Sequence, residues 1–383
     1  MKKGVGMRVI VIGAGLGGLT LAQGLRRAGI DVAVYERDDA LGRAQGVSLH
    51  VDDRGANALR ACLPSAHAAM VEATMGGPRE QTVALAEADG ALTVVGAQPS
   101  DGVAGRARPG RQVHRPLLRA VLLTGLEDVV RFGAEFTRFE QRADGTVRAW
   151  FADGSTDTAD VLVGADGIGS AVRRQYLPHA RVVDTGRRML MGATALRAVT
   201  DTGLPELIGH SPAGMRVGDT MMVVGVLRFT ESPMAARQRW LPALPLGAVA
   251  GVEDYAMWAL PITRERIGSA GPWHRAKELI ADLPSAMRLV VAETWPDLTV
   301  ALRGGTIPPI PAWPAGPVTV LGDAIHLAPG FGGNLAMQDA HHLREALVET
   351  YHGRLELIDA IGTYENTMRR NSFPAPVPAT AGA

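Results

Sequence analysis

Three segments of this 383-residue chain carry residue types at spacings that could do chemistry. Gly13-Ala-Gly-Leu-Gly-Gly18 is a G-x-G-x-x-G run directly after the β-branched stretch Arg8-Val-Ile-Val-Ile12. In that setting the first glycine permits a tight turn, the second lets backbone approach a pyrophosphate, and the third lets helix pack close on strand. Backbone N–H groups and the positive end of the helix dipole then face the phosphates. Glu36 closes the next strand-like run, Asp31-Val-Ala-Val-Tyr-Glu36, where a carboxylate can accept from ribose hydroxyls. The second segment, Val161-Leu-Val-Gly-Ala-Asp-Gly-Ile-Gly-Ser-Ala-Val-Arg-Arg174, reads as a strand, a glycine turn carrying Asp166 and a basic helix start. Alone it is equally an ordinary strand-to-helix turn. In the third, Val318 to Leu321 runs into Gly322-Asp323-Ala-Ile-His326, and Asp323 could hold a ribose or ribityl hydroxyl or cap a helix. The first segment predicts a dinucleotide ligand without separating NAD from FAD.

The elements that must position these residues alternate strand and helix. Arg8 to Ile12, a helix over Leu19 to Ala28 closed by Gly29, and the strand Asp31 to Glu36 imply a right-handed parallel crossover. Arg115 to Leu126 has helical spacing, with Leu118, Val121, Leu122 and Leu126 on one face. From Val129 to Gly164 the pattern mostly alternates, with turns at Asp144-Gly145 and Asp153-Gly154, and predicts a meander ending in Val161-Leu-Val. Strand-like runs at Gln81 to Leu85, Ala91 to Val95, Met189 to Ala195, Met221 to Phe229 and Tyr255 to Pro261 belong to a second, mostly β domain. The strand Val318 to Leu321 and a helix from about Asn334 to Tyr351 resume the alternation. The fold class is therefore α/β with an α+β second domain: a discontinuous Rossmann-type domain over 1–75, 111–180 and 275–373, a substrate domain over 76–110 and 181–274, and a frayed Pro-rich tail over 374–383.

Lys+Arg and Asp+Glu balance at 39 each, so no basic excess exists to neutralise nucleic acid, which is not an expected partner. A single cysteine, Cys62, excludes an internal disulfide and a thiolate cluster and reads as a buried small hydrophobe. No window approaches the roughly 20 apolar residues of a membrane span, and the N-terminal apolar run is too short for a signal peptide. The expectation is a cytoplasmic protein without a membrane partner, of unknown oligomeric state.

Taken together and in this order, the three segments resemble the aromatic-hydroxylase (group A) class of FAD-dependent monooxygenases, which includes p-hydroxybenzoate hydroxylase and the tetracycline-inactivating enzymes, over about residues 7–372. The resemblance implies a Rossmann-type FAD-binding domain holding non-covalent FAD. Within it, Gly13, Ala14, Gly15, Leu16 and Gly17 lie along the pyrophosphate, Glu36 on the adenosine ribose and Arg37 beside the adenine. Arg43 in Leu-Gly-Arg-Ala-Gln-Gly46 matches an arginine that reaches the cofactor, and Arg115 a flavin-contacting side chain. Asp166 belongs to a motif used for FAD and the nicotinamide donor, and Gly322 and Asp323 to one that binds ribityl oxygens or pyrophosphate. Pro329, Gly332, Gly333 and Asn334 approach the flavin pyrimidine ring, where a helix dipole stabilises negative charge on the reduced flavin. The stretch from His326 to Asn334 is about three residues shorter than the family's usual loop. The implied reaction uses NADH or NADPH as a transient donor, as fits the lack of a second G-x-G-x-x-G, and O2. A flavin hydroperoxide then oxidises a small aromatic or polycyclic substrate. The cofactor carries the hard chemistry, so no catalytic residue is assigned.

For the substrate, Met191, Met222 and Trp258, with Met189, Met221 and Met257, are pocket candidates at strand spacing that also suits a core. His210 and Arg216 could orient an anionic or phenolic group. No H-E-x-x-H appears, and adjacent His341 and His342 are expected to face different directions on a helix, so no metal is assigned. An NAD-dependent dehydrogenase would explain only the glycine turn and Glu36. A flavin halogenase would carry W-x-W-x-I-P where the chain has Tyr255-Ala-Met-Trp-Ala-Leu-Pro-Ile262. A protein in which FAD is structural and the pocket binds or cyclises its ligand stays open.

Overall fold

β-Branched residues buried on both faces build a parallel sheet that is covered by a further layer on each side. Arg8–Ile12, Asp31–Tyr35, Val161–Gly164 and Val318–Val320 are such strands, almost wholly buried. The computed structural model, which describes residues 6–40, 42, 45–103, 106–269, 271–327 and 332–373, joins them with Val130–Arg131. The order is Val318–Val320, Val161–Gly164, Arg8–Ile12, Asp31–Tyr35, Val130–Arg131, every pairing parallel. Helix Leu16–Arg27 is buried from Leu16 through Leu25 and packs on helix Gly332–Tyr351, which packs in turn on Leu357–Ser372. At Gly17 a side chain would stand 2.7 Å from Leu321 Cδ1 and 3.0 Å from Ala336 O, so glycine sets the helix spacing. The Tyr364 hydroxyl donates to Val320 O at 2.8 Å, tying the last helix to the sheet.

The meander is shorter than its alternation predicts. Phe136–Gln141, Val147–Phe151 and Thr156–Ala159 form a separate antiparallel sheet, while Val161–Gly164 leaves it to pair with Arg8–Ile12 and Val318–Val320. Asp160 marks the switch, its Oδ2 accepting from Arg8 N–H at 2.7 Å.

Contacts group Met1–Asp39, Val129–Val183 and Thr306–Ala383 in one compact unit, and Ala40–Asp128 and Asp184–Gly305 in another. Segments 40–75, 111–128 and 275–305, expected with the Rossmann-type domain, thus fall by compactness in the sheet-rich unit. There the strands run Val300–Thr306, Val183–Ala195, Tyr255–Thr263, Thr220–Leu227, Ala213–Val217, Gln81–Ala88, Ala91–Pro99. One sheet face, with Leu190, Met222, Val224, Trp258 and Leu260, is sealed by the helices Pro272–Leu279 and Ser285–Ala292 through residues such as Ala276, Met287 and Val291. The opposite face carries Met189, Met191, Met221, Val223 and Met257, all half-buried. A small second sheet orders Ser48–Asp52, Gly110–His114 and Pro78–Arg79.

Candidate cofactor site

In a parallel sheet the carboxyl ends of all strands share one edge, where ligands of open α/β folds bind. Gly13 leaves the first strand at φ +110°, its N–H donating to Tyr35 O at 2.8 Å. A Cβ there would stand 2.3 Å from Ala165 O, so the turn needs glycine twice over: for its dihedral and for its approach to the neighbouring strand end. Gly15 caps helix Leu16–Arg27 with no side-chain hydrogen bond and no acidic residue in the first turn. A Cβ on Gly15 would meet nothing within 4 Å. First-turn amides have no acceptor within their helix, and this turn leaves backbone open to a close-approaching anion. Glu36 is half-buried and braces the turn: Oε2 accepts from Ala14 N–H at 2.8 Å and Oε1 from Asp38 N–H at 3.0 Å. Each oxygen keeps a lone pair for a hydroxyl donor. Arg37 is exposed, 3.8 Å from Asp38; Ala14 and Leu16 are buried.

Asp166 spends Oδ2 on the N–H groups of Ala171 and Val172, at 2.6 and 3.3 Å, and its buried Oδ1 has no partner. Arg173, which sequence reasoning passed over, is buried and ties two turns together: its guanidinium donates to Ile168 O at 2.9 Å and to Ala324 O at 2.8 Å.

The Gly322–Ala324 turn rests on a pair of which the sequence pattern showed only one member, His326, and not its partner Asp339. Gly322, at φ +60°, donates its N–H to Asp339 Oδ2 at 2.9 Å, and the same oxygen lies 2.5 Å from His326 Nε2. His326 is 2% exposed and Asp339 fully buried. Burial opposes protonation of His326, yet the Asp339 charge and hydrogen bond outweigh it and hold the pKa above its ordinary value. Asp323 projects from this turn, exposed. A Cβ on Gly332 would stand 2.6 Å from Asp323 Oδ1, so the start of helix Gly332–Tyr351 must be glycine for the carboxylate to sit there. Gly333 is half-buried and Asn334 buried. Arg43 and Pro329 lie outside the described residues.

The remaining expected residues belong to the sheet-rich unit. Arg115 opens helix Arg115–Leu123 and hydrogen-bonds Gln45. His114 caps that helix, its Nδ1 accepting from Leu117 N–H at 3.3 Å, and burial pushes its pKa down to about 4. Met191 lies on the half-buried sheet face, but Met222 and Trp258 point into the core, the Trp258 indole donating to Thr294 Oγ1 at 2.9 Å. Arg216 is exposed on Ala213–Val217. His210 sits against Gly77, and burial followed by Arg228, Arg79 and Arg111 lowers its pKa. The rings of His341 and His342 do not diverge but stack, centroids 5.7 Å apart, with His341 3.3 Å from Glu345. No cluster of three metal-ligating side chains occurs among the described residues, and no described helix is long and apolar enough to cross a membrane.

A glycine turn open to an anion, a braced Glu36, and two further carboxylate-bearing turns lie at the same sheet edge, the place where open α/β folds take a dinucleotide. The chain belongs to the FAD binding domain family, whose pattern matches residues 6–215 and 253–371, and FAD is its cofactor. It is 32% identical to the dual O-methyltransferase/FAD-dependent monooxygenase CTB3 of Cercospora beticola, an alignment covering 94% of this chain and 44% of that protein. The chain thus spans under half the length of the first curated relatives it matches. Identity to the aurachin C monooxygenase/isomerase of Stigmatella aurantiaca is 31%, over 97% of this chain and 88% of that one. A FAD-containing protein of Photorhabdus luminescens, known from a crystal structure, superposes with a TM-score of 0.78 at 26% identity, covering 96% and 94% of the two chains.

Proposed function

We propose that the chain is a FAD-dependent monooxygenase that uses NADH or NADPH and O2 to oxidise a small aromatic or polycyclic molecule. The observation that carries this reading is the convergence of Glu36, Asp166 and Asp323 on one sheet edge beside an anion-ready glycine turn, where a nicotinamide dehydrogenase would need only the first. The relatives named as FAD-dependent monooxygenases support it. FAD supplies the electron transfer and oxygen activation. In this reading the backbone of Gly13, Ala14, Gly15, Leu16 and Gly17 receives its pyrophosphate, and Glu36 its adenosine ribose, with Arg37 alongside. Asp323 takes the ribityl chain, and Asp166 offers the oxygen that lacks a protein donor. Gly332, Gly333 and Asn334 serve the flavin end.

The test is NADH and NADPH oxidation with oxygen uptake by the FAD-loaded protein against phenols and fused-ring aromatics, with products examined for one added oxygen atom. Donor consumption that a substrate accelerates, with an oxygenated product, is expected. A protein that takes up no FAD, or that binds FAD and oxidises neither donor with any compound, refutes the proposal.

A further inference from the structure

We infer that Arg79 and Gln112 form an anion-binding subsite in the sheet-rich unit that takes an acidic oxygen of an aromatic ligand with a hydroxyl beside it. This rests on the reading of the chain as an enzyme of aromatic substrates. Arg79 ends the two-residue strand Pro78–Arg79 and is 8% exposed, yet its Nη2 has no hydrogen-bond partner. No carboxylate pairs with it among the described residues. Burial pushes its pKa down to about 10, opposed only by the Tyr255 phenol. An unpaired buried guanidinium is strongly unfavourable, and an arriving anion relieves it. Gln112 is 1% exposed; its amide nitrogen donates to Ser48 Oγ, while its oxygen, also buried, accepts nothing.

The two orphaned atoms face one point. A Cβ placed on Gly225 would stand 2.7 Å from Arg79 Nη2, 3.5 Å from Met257 Sδ and 3.6 Å from Gln112 Oε1. Gly225 pairs with Met257 across Thr220–Leu227 and Tyr255–Thr263, on the sheet face away from the larger packed core, where Met257 packs beside the small cluster of Val47, Ala193, Leu227 and Tyr255. A charged donor, a neutral acceptor and a polarizable thioether therefore surround a sheet residue that has no side chain of its own. The donor suits an anionic oxygen, the acceptor a neighbouring hydroxyl, and the thioether an aromatic ring. The acid can be a carboxylate or an ionised enol.

The test uses the full chain loaded with oxidised FAD and no reductant, and reads dissociation constants for three probes. These are 1-hydroxy-2-naphthoate, a carboxylate; 2-hydroxy-1,4-naphthoquinone, an acidic enol; and 1-naphthol, neutral. At least one anion should bind about tenfold or more tighter than 1-naphthol, and which one does so identifies the acid. Arg79→Met should abolish that preference while changing 1-naphthol affinity by less than about twofold. The same variant should raise the melting temperature without ligand, because a buried unpaired charge is gone; a structural arginine would give the reverse. Gly225→Ala keeps the arginine but puts a carbon 2.7 Å from the site of its Nη2, so the guanidinium must shift and the preference should be lost too, which decides the matter if Arg79→Met does not fold. Equal affinity of the wild-type protein for all three probes, or a preference that survives in either variant, overturns the subsite. Because nothing turns over, a selective binder that consumes no NADH or NADPH refutes the oxygenase reading alone, and an active enzyme without the preference refutes the subsite alone.

Discussion

Replacing Asp339 separates charge from hydrogen bonding in the pair behind the Gly322 turn. One oxygen, Oδ2, serves both Gly322 N–H and His326 Nε2. Asp339→Ala leaves two buried groups without that acceptor, at about 1–3 kcal/mol each, so the loss should be about 2–6 kcal/mol. Asp339→Asn can keep an oxygen at the shared position and lose only the charge; charge-assisted bonds exceed neutral ones by roughly 1–2 kcal/mol, which sets the smaller expected loss. The pH dependence has a definite sign. His326 binds its proton more tightly in the folded protein than at its ordinary pKa of 6.5, so the pair's contribution is full below that value and is lost as pH rises through the higher folded value. Asn cannot hold the proton, so the difference between wild-type and Asp339→Asn stability should be larger at pH 6 than at pH 9. Urea unfolding followed by circular dichroism at both pH values measures it, and FAD titration of the same variants reads the turn. FAD affinity should fall in the order wild type, Asn, Ala. An alanine variant within about 0.5 kcal/mol of wild type, or an Asn-to-wild-type gap that does not narrow with pH, would refute the account.

Glu365 tests burial of charge elsewhere in the same unit. It is 1% exposed, and burial first of all raises its pKa from 4.5 to about 7, partly offset by the Thr319 hydroxyl at 2.9 Å. The folded state therefore holds the proton over that window, stability falls as pH rises from about 4.5 to about 7, by up to roughly 3 kcal/mol, and Glu365→Gln should melt higher than wild type at pH 8 but not at pH 4.5. Melting curves with the same gap at both pH values sink that assignment. Gly13→Ala forces a carbon to 2.3 Å from Ala165 O at φ +110°; strain of about 1–3 kcal/mol plus the clash should cost FAD binding, and wild-type flavin affinity in a folded variant would show that the turn does not pack on that strand end.

Much of the sheet edge that carries the candidate site was readable because its signals are local. A β-branched run followed by Gly13, Gly15 and Gly18 names strand, turn and helix together, and Gly322-Asp323 repeats the logic at Val318–Val320. The turns at Gly145 and Gly154 were equally local, both glycines adopting positive φ. What failed to show was partnership at a distance. Alternation in Tyr255–Thr263 divides its residues between two faces but cannot say that Pro272–Leu279 and Ser285–Ala292 seal the face bearing Trp258 rather than that of Met257. Val161–Gly164 follows the meander in the chain, so adjacency suggested a membership that parallel pairing with Arg8–Ile12 overrides. Asp339, Arg79 and Gln112 belong to no motif, and Arg173 stands in one only as part of a basic helix start; each acquires its role only where separate segments meet.

The strand order has a consequence for how the protein is made. Arg8–Ile12, the centre of the parallel sheet, is the first of the sheet's strands to be made, but its neighbour Val161–Gly164 follows much later and Val318–Val320 later still. Until then a five-residue apolar strand has a bare edge, the form of exposed surface that pairs with other chains. Closing the sheet brings widely separated stretches together, which slows folding. The Asp323 turn and the Tyr364 clamp on Val320 arrive after it, so the proposed set of FAD ligands is complete only once the sheet's last strand has emerged. Abundant flavin during expression should therefore rescue yield more by trapping the closed sheet than by guiding its early strands.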